Sequence, residues 1–282
     1  MINAHNVPVH VAYRLATYSA AKHFGLKRLG LVAPGKKADL VLLKDLKTVA
    51  IKDVMIGGKW VSELDMTKTS NEKLKKSNPP LENTIRREKI SATDLPFPTT
   101  AGAYNVIEIV PNEIITKHLI AKYDGQKFDS TDILYMANIE RYGKNLKPAL
   151  GFVKGTGMKS GAIASSVAHD SHNIMVIGTN TADMAIAVNE IIRTGGGFVV
   201  ADQGKVKASV ELPIAGLLSL KSADEIKTGI ENLKTEFKKL GVVLEEPFIQ
   251  MAFLALPVIP TLKLTDKGLV DVTKFEFIPL AH

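Results

Sequence analysis

The 282-residue sequence contains no cysteine. Disulfides, thiolate zinc sites and cysteine nucleophiles are therefore excluded. Long apolar runs are also missing. None approaches the roughly 20 residues that a membrane-spanning helix requires, and the first residues lack the basic-then-apolar pattern of a secretory leader. The sequence reads as cytoplasmic, with no membrane partner. Aromatic residues are scarce, at 6% of the chain, and are not interleaved with basic residues as they are in base-stacking surfaces. The formal net charge is nevertheless +7. Much of the excess lies in KDLK, NEKLKKSN, NTIRREK and TEFKKLG, stretches that fit solvated helix faces and a linker. No nucleic-acid partner is expected, and an acidic partner protein stays open.

An apolar fraction of 45% and a charged fraction of 23% are those of an ordinary globular protein, and the length suits two or three structural units. Residues 7–24 place Val11, Leu15 and Tyr18, with Ala12 and Ala16, on one stripe at helical spacing, and Gly25 is a natural stop. A Pro-Gly turn and a short strand follow, then two strands around Gly57-Gly58, a hairpin signal. Residues 62–103 are polar and proline-containing and read as a linker or extended arm.

A second unit over 104–282 opens with YNVIEIV and DILYMANIER as strands. NIMVIG is a further strand, and Thr179-Asn180 caps a helix carrying Met184, Val188, Ile191 and Ile192 on one face. GFVVAD and KVKASVELP form a hairpin through Gln203-Gly204, and Ser222 with Glu225 makes a capping box for a helix that Gly241 stops. Strands and helices mix without strict alternation, so the fold class is α+β.

Three passages carry candidate chemistry. GTGMKSG brings Gly155, Gly157 and Gly161 together but matches neither nucleotide-loop pattern, so glycines that let strands approach are the better account. His5, His10 and His23 show no metal spacing, and His118 sits alone. SSVAHDSHN, residues 165–173, crowds His169, Asp170, Ser171, His172 and Asn173 between two apolar segments. One reading is a turn stitched by Asp170, Ser171 and Asn173 side chains bonding to backbone. The other is a ligand site, because two imidazoles beside a carboxylate suit a metal shell or a proton shuttle to a heteroaromatic ring.

Several longer strings resemble one family, the bacterial adenine deaminases of the amidohydrolase superfamily. ATYSAAKHFGLKRLGLVAPGKKADLVLLKDL is similar to the stretch that closes the amidohydrolase barrel and opens its flanking β-sandwich. GFVKGTGMKSGAIASSVAHDSHNIMVIGTNTADMAIAVN, GGGFVV, LPIAGLLS and EPFIQMAFLALPVIPTLKLTDKGLVDV resemble the domain peculiar to those deaminases. The resemblance implies a last barrel helix and partial β-sandwich over 1–61, a linker or arm over 62–103 and the deaminase C-terminal domain over 104–282.

It also implies hydrolysis of adenine to hypoxanthine and ammonia with a manganese or iron pair. The family binds that pair through an H-x-H motif, a bridging Glu, two further His and an Asp on its barrel. This sequence holds no H-x-H, so the metal ligands are expected upstream of Met1 and none is assigned here. The chain alone is expected to show little activity. It is then a part that complements a separate barrel-bearing chain, a self-associating binding module or a gene remnant. Within the resemblance, His169, Asp170 and His172 are the expected catalytic residues, and Ser171 and Asn173 the expected substrate contacts.

Overall fold

The computed structural model describes residues 1–64, 81–82 and 84–282. They belong to two compact units, 1–76 and 77–282. In the first, a short helix α1 (Ile2–His5) precedes α2 (Val9–Arg14), a π-helical turn (Leu15–Ser19) and α3 (Ala20–His23). The helical stripe thus forms where its spacing predicts, widened at its centre. There the Thr17 hydroxyl donates to Tyr13 O at 2.6 Å, a back-bond that competes with the regular ladder. Three antiparallel strands follow, β1 (Leu40–Asp45), β2 (Ala50–Ile56) and β3 (Lys59–Trp60), with Gly57 and Gly58 at positive φ in the hairpin turn. Much of this unit's apolar surface is bare: Leu15 is 45% exposed, and Val41 and Ile51 are 58% exposed.

The second unit is built on one eight-stranded open sheet. Its strands are β4 (Gly102–Ile109), β5 (Thr116–Tyr123), β6 (Ile133–Ile139), β7 (Ala149–Lys154), β8 (Ala162–Ser165), β9 (Ile174–Gly178), β10 (Gly197–Asp202) and β11 (Lys205–Glu211). The order is β11-β10-β8-β9-β6-β7-β4-β5, antiparallel throughout except for the parallel β4–β7 pair. Helix α4 (Thr181–Thr194) lies on one face; α5 (Ala223–Lys239), α6 (Pro247–Leu254) and a small sheet of β12 (Leu262–Thr265), β13 (Gly268–Asp271) and β14 (Glu276–Ile278) lie on the other. This is an α+β arrangement of open sheets.

Coverage of both faces explains the continuous apolar strand IMVIG. Ile174 and Val176 meet Met184, Val188 and Ile191 of α4 on one side, while Met175 and Ile177 join the core of Leu233 and Phe237 from α5 on the other. Helix boundaries follow local chemistry. Asn180 Oδ1 accepts from Asp183 N–H at the start of α4, and Gly195 at φ 74° ends it. Ser222 and Glu225 form the expected capping box of α5.

Part of the 62–103 segment falls on residues 65–80 and 83, outside the described residues. From Thr84 onward it is an arm laid against the second unit. Ile85, Ile90 and Leu95 are buried with the α4 face of the sheet. Asn189 of α4 holds the arm through both amide atoms, its Oδ1 accepting from Ile90 N–H (2.9 Å) and its Nδ2 donating to Ile90 O (2.7 Å). The polar composition hid this docking, because few apolar residues, Ile85, Ile90, Leu95 and Phe97, do the anchoring.

Candidate functional site

The residues Ser165 to Asn173 sit at one end of the sheet, in the loop joining the hydrogen-bonded neighbours β8 and β9. Two serines tie the base of the loop. Ser165 Oγ accepts from Val167 N–H (2.9 Å). Ser166, fully buried, donates from Oγ to Gly216 O (2.7 Å) and accepts from Gly197 N–H (2.8 Å). The outer half is shaped by backbone. Asp170 takes φ 63°, and Ser171 N–H donates across it to His169 O at 3.1 Å, a tight three-residue turn. His172 also lies in the left-handed region, at φ 48°.

Stitching of the turn by Asp170, Ser171 and Asn173 side chains is therefore not what the geometry uses. Among the described residues, the bonds that shape this loop come from Ser165, Ser166, main-chain groups and the Tyr142 hydroxyl. Asn173 is 1% exposed, and among the described residues neither its Oδ1 nor the buried His172 Nδ1 has a hydrogen-bond partner. His169 and Asp170 face solvent. The structure thus groups all five expected residues at one sheet end, with the imidazoles on different levels, His169 outside and His172 partly buried.

Burial holds the His172 imidazole below the ordinary histidine range. The charge of Arg141 and the proximity of His169 act in the same direction, against a backbone hydrogen bond to Ala168 and the Asp170 carboxylate. An uncharged imidazole at neutral pH is able to take up a proton.

Sequence reasoning missed the floor of this site. Arg141, 5% exposed, follows β6 and donates from Nη2 to Ala215 O (2.9 Å), while its Nε and Nη1 have no partner. Tyr142 donates from its hydroxyl to Ser171 O. The only sequence signal was a charged pair, Glu140-Arg141, set directly after an apolar strand.

The other candidates resolve differently. Gly155 N–H and Gly157 N–H both donate to the Asp132 carboxylate, at 3.0 and 2.9 Å, so the glycine passage is an internal carboxylate clamp. His118 is not solitary: its Nε2 meets Asn105 Oδ1 at 2.8 Å, as His282 Nδ1 does at 3.3 Å. His5, His10 and His23 lie exposed in the first unit. Among the described residues no three His, Cys, Asp or Glu side chains converge to hold a metal ion. The manganese or iron implied by the resemblance therefore does not fit on them. No helix among the described residues is long and apolar enough to cross a membrane.

The sequence that builds this sheet and loop matches known proteins. The family model for the adenine deaminase C-terminal domain matches residues 113–276, and that for the amidohydrolase family matches residues 2–61. The chain belongs to the adenine deaminase C-terminal domain family. It is 72% identical over 280 residues to an adenine deaminase of Bdellovibrio bacteriovorus, 49% over 280 residues to one of Shewanella halifaxensis and 50% over 278 residues to one of Edwardsiella ictaluri. These alignments cover 99%, 99% and 98% of this chain. They cover 48%, 48% and 47% of the relatives, so the chain spans about half the length of the curated relatives it matches.

Proposed function

We propose that this chain supplies the C-terminal part of an adenine deaminase, a hydrolase that replaces the exocyclic amine of adenine with oxygen from water and releases ammonia. The observation that carries the proposal is the match over nearly the whole chain to proteins named adenine deaminase. The 165–173 loop supports it, because it offers proton-carrying side chains that the turn itself does not consume.

In this reading His172, uncharged at neutral pH, accepts the proton lost as water adds to the ring. His169, exposed at the loop tip, takes that proton on through solvent and delivers it to the departing amine, so that both imidazoles end uncharged, and the Asp170 carboxylate beside it on the tip favours the transient imidazolium. Asn173 Oδ1 accepts from a purine N–H, and Ser171 supplies a second polar contact. Metal-bound water is the ordinary source of hydroxide at neutral pH. The described residues do not fit a metal, and no step is assigned to one here. The chain by itself is therefore expected to turn over little or no adenine.

The test has two arms. Adenine loss is followed with the purified chain and added manganese; turnover at the rate of an intact relative overturns the partial role. Replacing the residue equivalent to His172 by Asn in an intact relative is expected to lower turnover by orders of magnitude. A change confined to thermal stability overturns the catalytic assignment of the loop.

One observation favours a second reading, in which the chain is a non-catalytic partner. The exposed apolar residues of the first unit, including Leu15, Tyr18, Val41 and Ile51, form surface of the kind that protein partners cover. A barrel-bearing chain or a second copy would occupy it. Light scattering of the chain alone, and mixed with the N-terminal half of a relative, separates these occupants.

A further inference from the structure

We propose that Arg141 is a positioning residue of this site, whose buried guanidinium anchors the 212–219 segment and sets an unneutralised positive charge at the sheet end that carries His172. The inference rests on the proposed role of the loop and names a residue that role did not include.

The geometry is specific. Arg141 is 5% exposed, yet among the described residues the only hydrogen bond of its side chain is from Nη2 to Ala215 O at 2.9 Å. Nε and Nη1 are buried without a partner. Its guanidinium carbon lies 5.3 Å from the centroid of the Tyr142 ring, and the Tyr142 hydroxyl donates to Ser171 O. The neighbouring Gly216 carries the carbonyl that accepts from Ser166 Oγ. A Cβ at Gly216 would stand 2.2 Å from Arg141 Nη1, so the segment closes directly onto the guanidinium. Arg141 thus meets the 212–219 wall directly and the loop through Tyr142, and the β6–β9 register, Ile139 opposite Ile174, carries Arg141 and His172 to the same end of the sheet.

The obvious counter-ion does not neutralise it. Glu140, 3% exposed, accepts from Tyr142 N–H and from Lys144 N–H (3.1 Å). Its carboxylate is committed to main-chain amides, and no ion pair between Glu140 and Arg141 forms among the described residues. A buried charge without a partner is destabilising and concentrates at functional sites.

The charged and titratable groups around His172 come from few elements. The end of β6 brings Arg141, with Glu140 turned to the amides. The loop itself brings His169 and Asp170. The 212–219 segment, LPIAGLLS, and α6, PFIQMAFL, bring none. The arm brings Arg86 to the same strand end, its N–H donating to Arg141 O at 2.8 Å. Arg141 is the fixed positive charge that acts on His172, and protonating His172 would add a second cation at that sheet end. Burial first, and the Arg141 charge second, hold the His172 imidazole below the ordinary histidine range.

The experiment is a proton NMR titration of the histidine ring resonances in the full chain, with the His172 signal assigned from His172→Asn. The wild-type midpoint is expected below the ordinary value of 6.5. Arg141→Met, or Arg141→Gln where the Met variant does not fold, is expected to raise it by roughly one pH unit. Arg141→Lys, which keeps the charge, is expected to hold it low. A wild-type midpoint at or above the ordinary value overturns the proposal without any substitution at Arg141. So does an unchanged midpoint in a folded, neutral variant. The titration reads charge coupling regardless of turnover, so its failure is distinct from a failure of the deaminase reading, which the His172→Asn kinetics in an intact relative decide.

Discussion

The rings of His169 and Phe253 lie 4.3 Å apart, centroid to centroid, tilted by 33°. Next to that contact His169 N–H donates to Ala252 O at 3.3 Å. The tip of the β8–β9 loop is thereby fastened to α6, an element more than 80 residues further along the chain.

Phe253→Ala is expected to loosen the loop tip while leaving the sheet intact. Loss of this half-buried ring should cost about 1–2 kcal/mol. Hydrogen exchange should speed up over residues 167–172 and stay unchanged in β8 and β9. Equal acceleration in those strands would show that the ring supports the whole domain instead.

Ser166→Ala removes one buried hydroxyl that serves two neighbours. Gly216 O loses its donor and Gly197 N–H its acceptor, and both stay dry. The expected loss is about 1–3 kcal/mol, read as a lower urea midpoint at constant m-value.

Asn189→Ala should free the arm. The Ile90 main chain loses both its bonds to α4, at a cost of about 1–2 kcal/mol. Limited proteolysis is expected to cut between residues 84 and 95 before any site in the sheet.

Lys263 gives a pH-dependent prediction. It is completely buried on β12, donates from Nζ to Ile114 O (3.0 Å), and burial pushes its amine down from 10.5 to about 8. Between these values the unfolded chain binds a proton that the folded chain does not, so this residue makes stability rise with pH from about 8 to 10.5. Below about 8 both states are protonated and the full burial cost, on the order of 3 kcal/mol, is present. Lys263→Met should therefore be most stabilising relative to wild type near pH 7, and its advantage should shrink as the pH approaches 10.5. An advantage that stays constant across this window would contradict the assignment. Chemical denaturation at several pH values measures it.

The elements readable in the sequence were those whose signals are local. The Asn180 cap, the Ser222–Glu225 box and the Gln203-Gly204 hairpin each involve residues within a few positions of one another. The strands β4, β6 and β9 were legible as apolar runs. Helix α6 was not, because PFIQMAFL is apolar on most sides and shows no helical period. Strand β5, KHLIAKY, mixes charged and apolar residues at a sheet edge.

Site residues divided in the same way. The five loop residues stood out because they are consecutive and polar. Arg141 did not, because its neighbours Ala215 and Gly216 lie 74 and 75 positions away in the chain, and nothing beside it in sequence marks it as buried. Lys263 did not stand out, because the carbonyl that receives its amine, Ile114 O, lies 149 positions earlier in the chain. His118 reads as isolated because the histidine that shares Asn105 with it stands at position 282.

Asp132 has a bearing on what this domain is able to become. Its carboxylate already occupies the cradle formed by the Gly155 and Gly157 amides. A phosphoryl group approaching that cradle would have to displace a tethered anion of the same sign. The passage that most invites a nucleotide in the sequence is thus self-inhibited, and acquiring such a ligand there would first require the loss of a side chain 23 residues upstream.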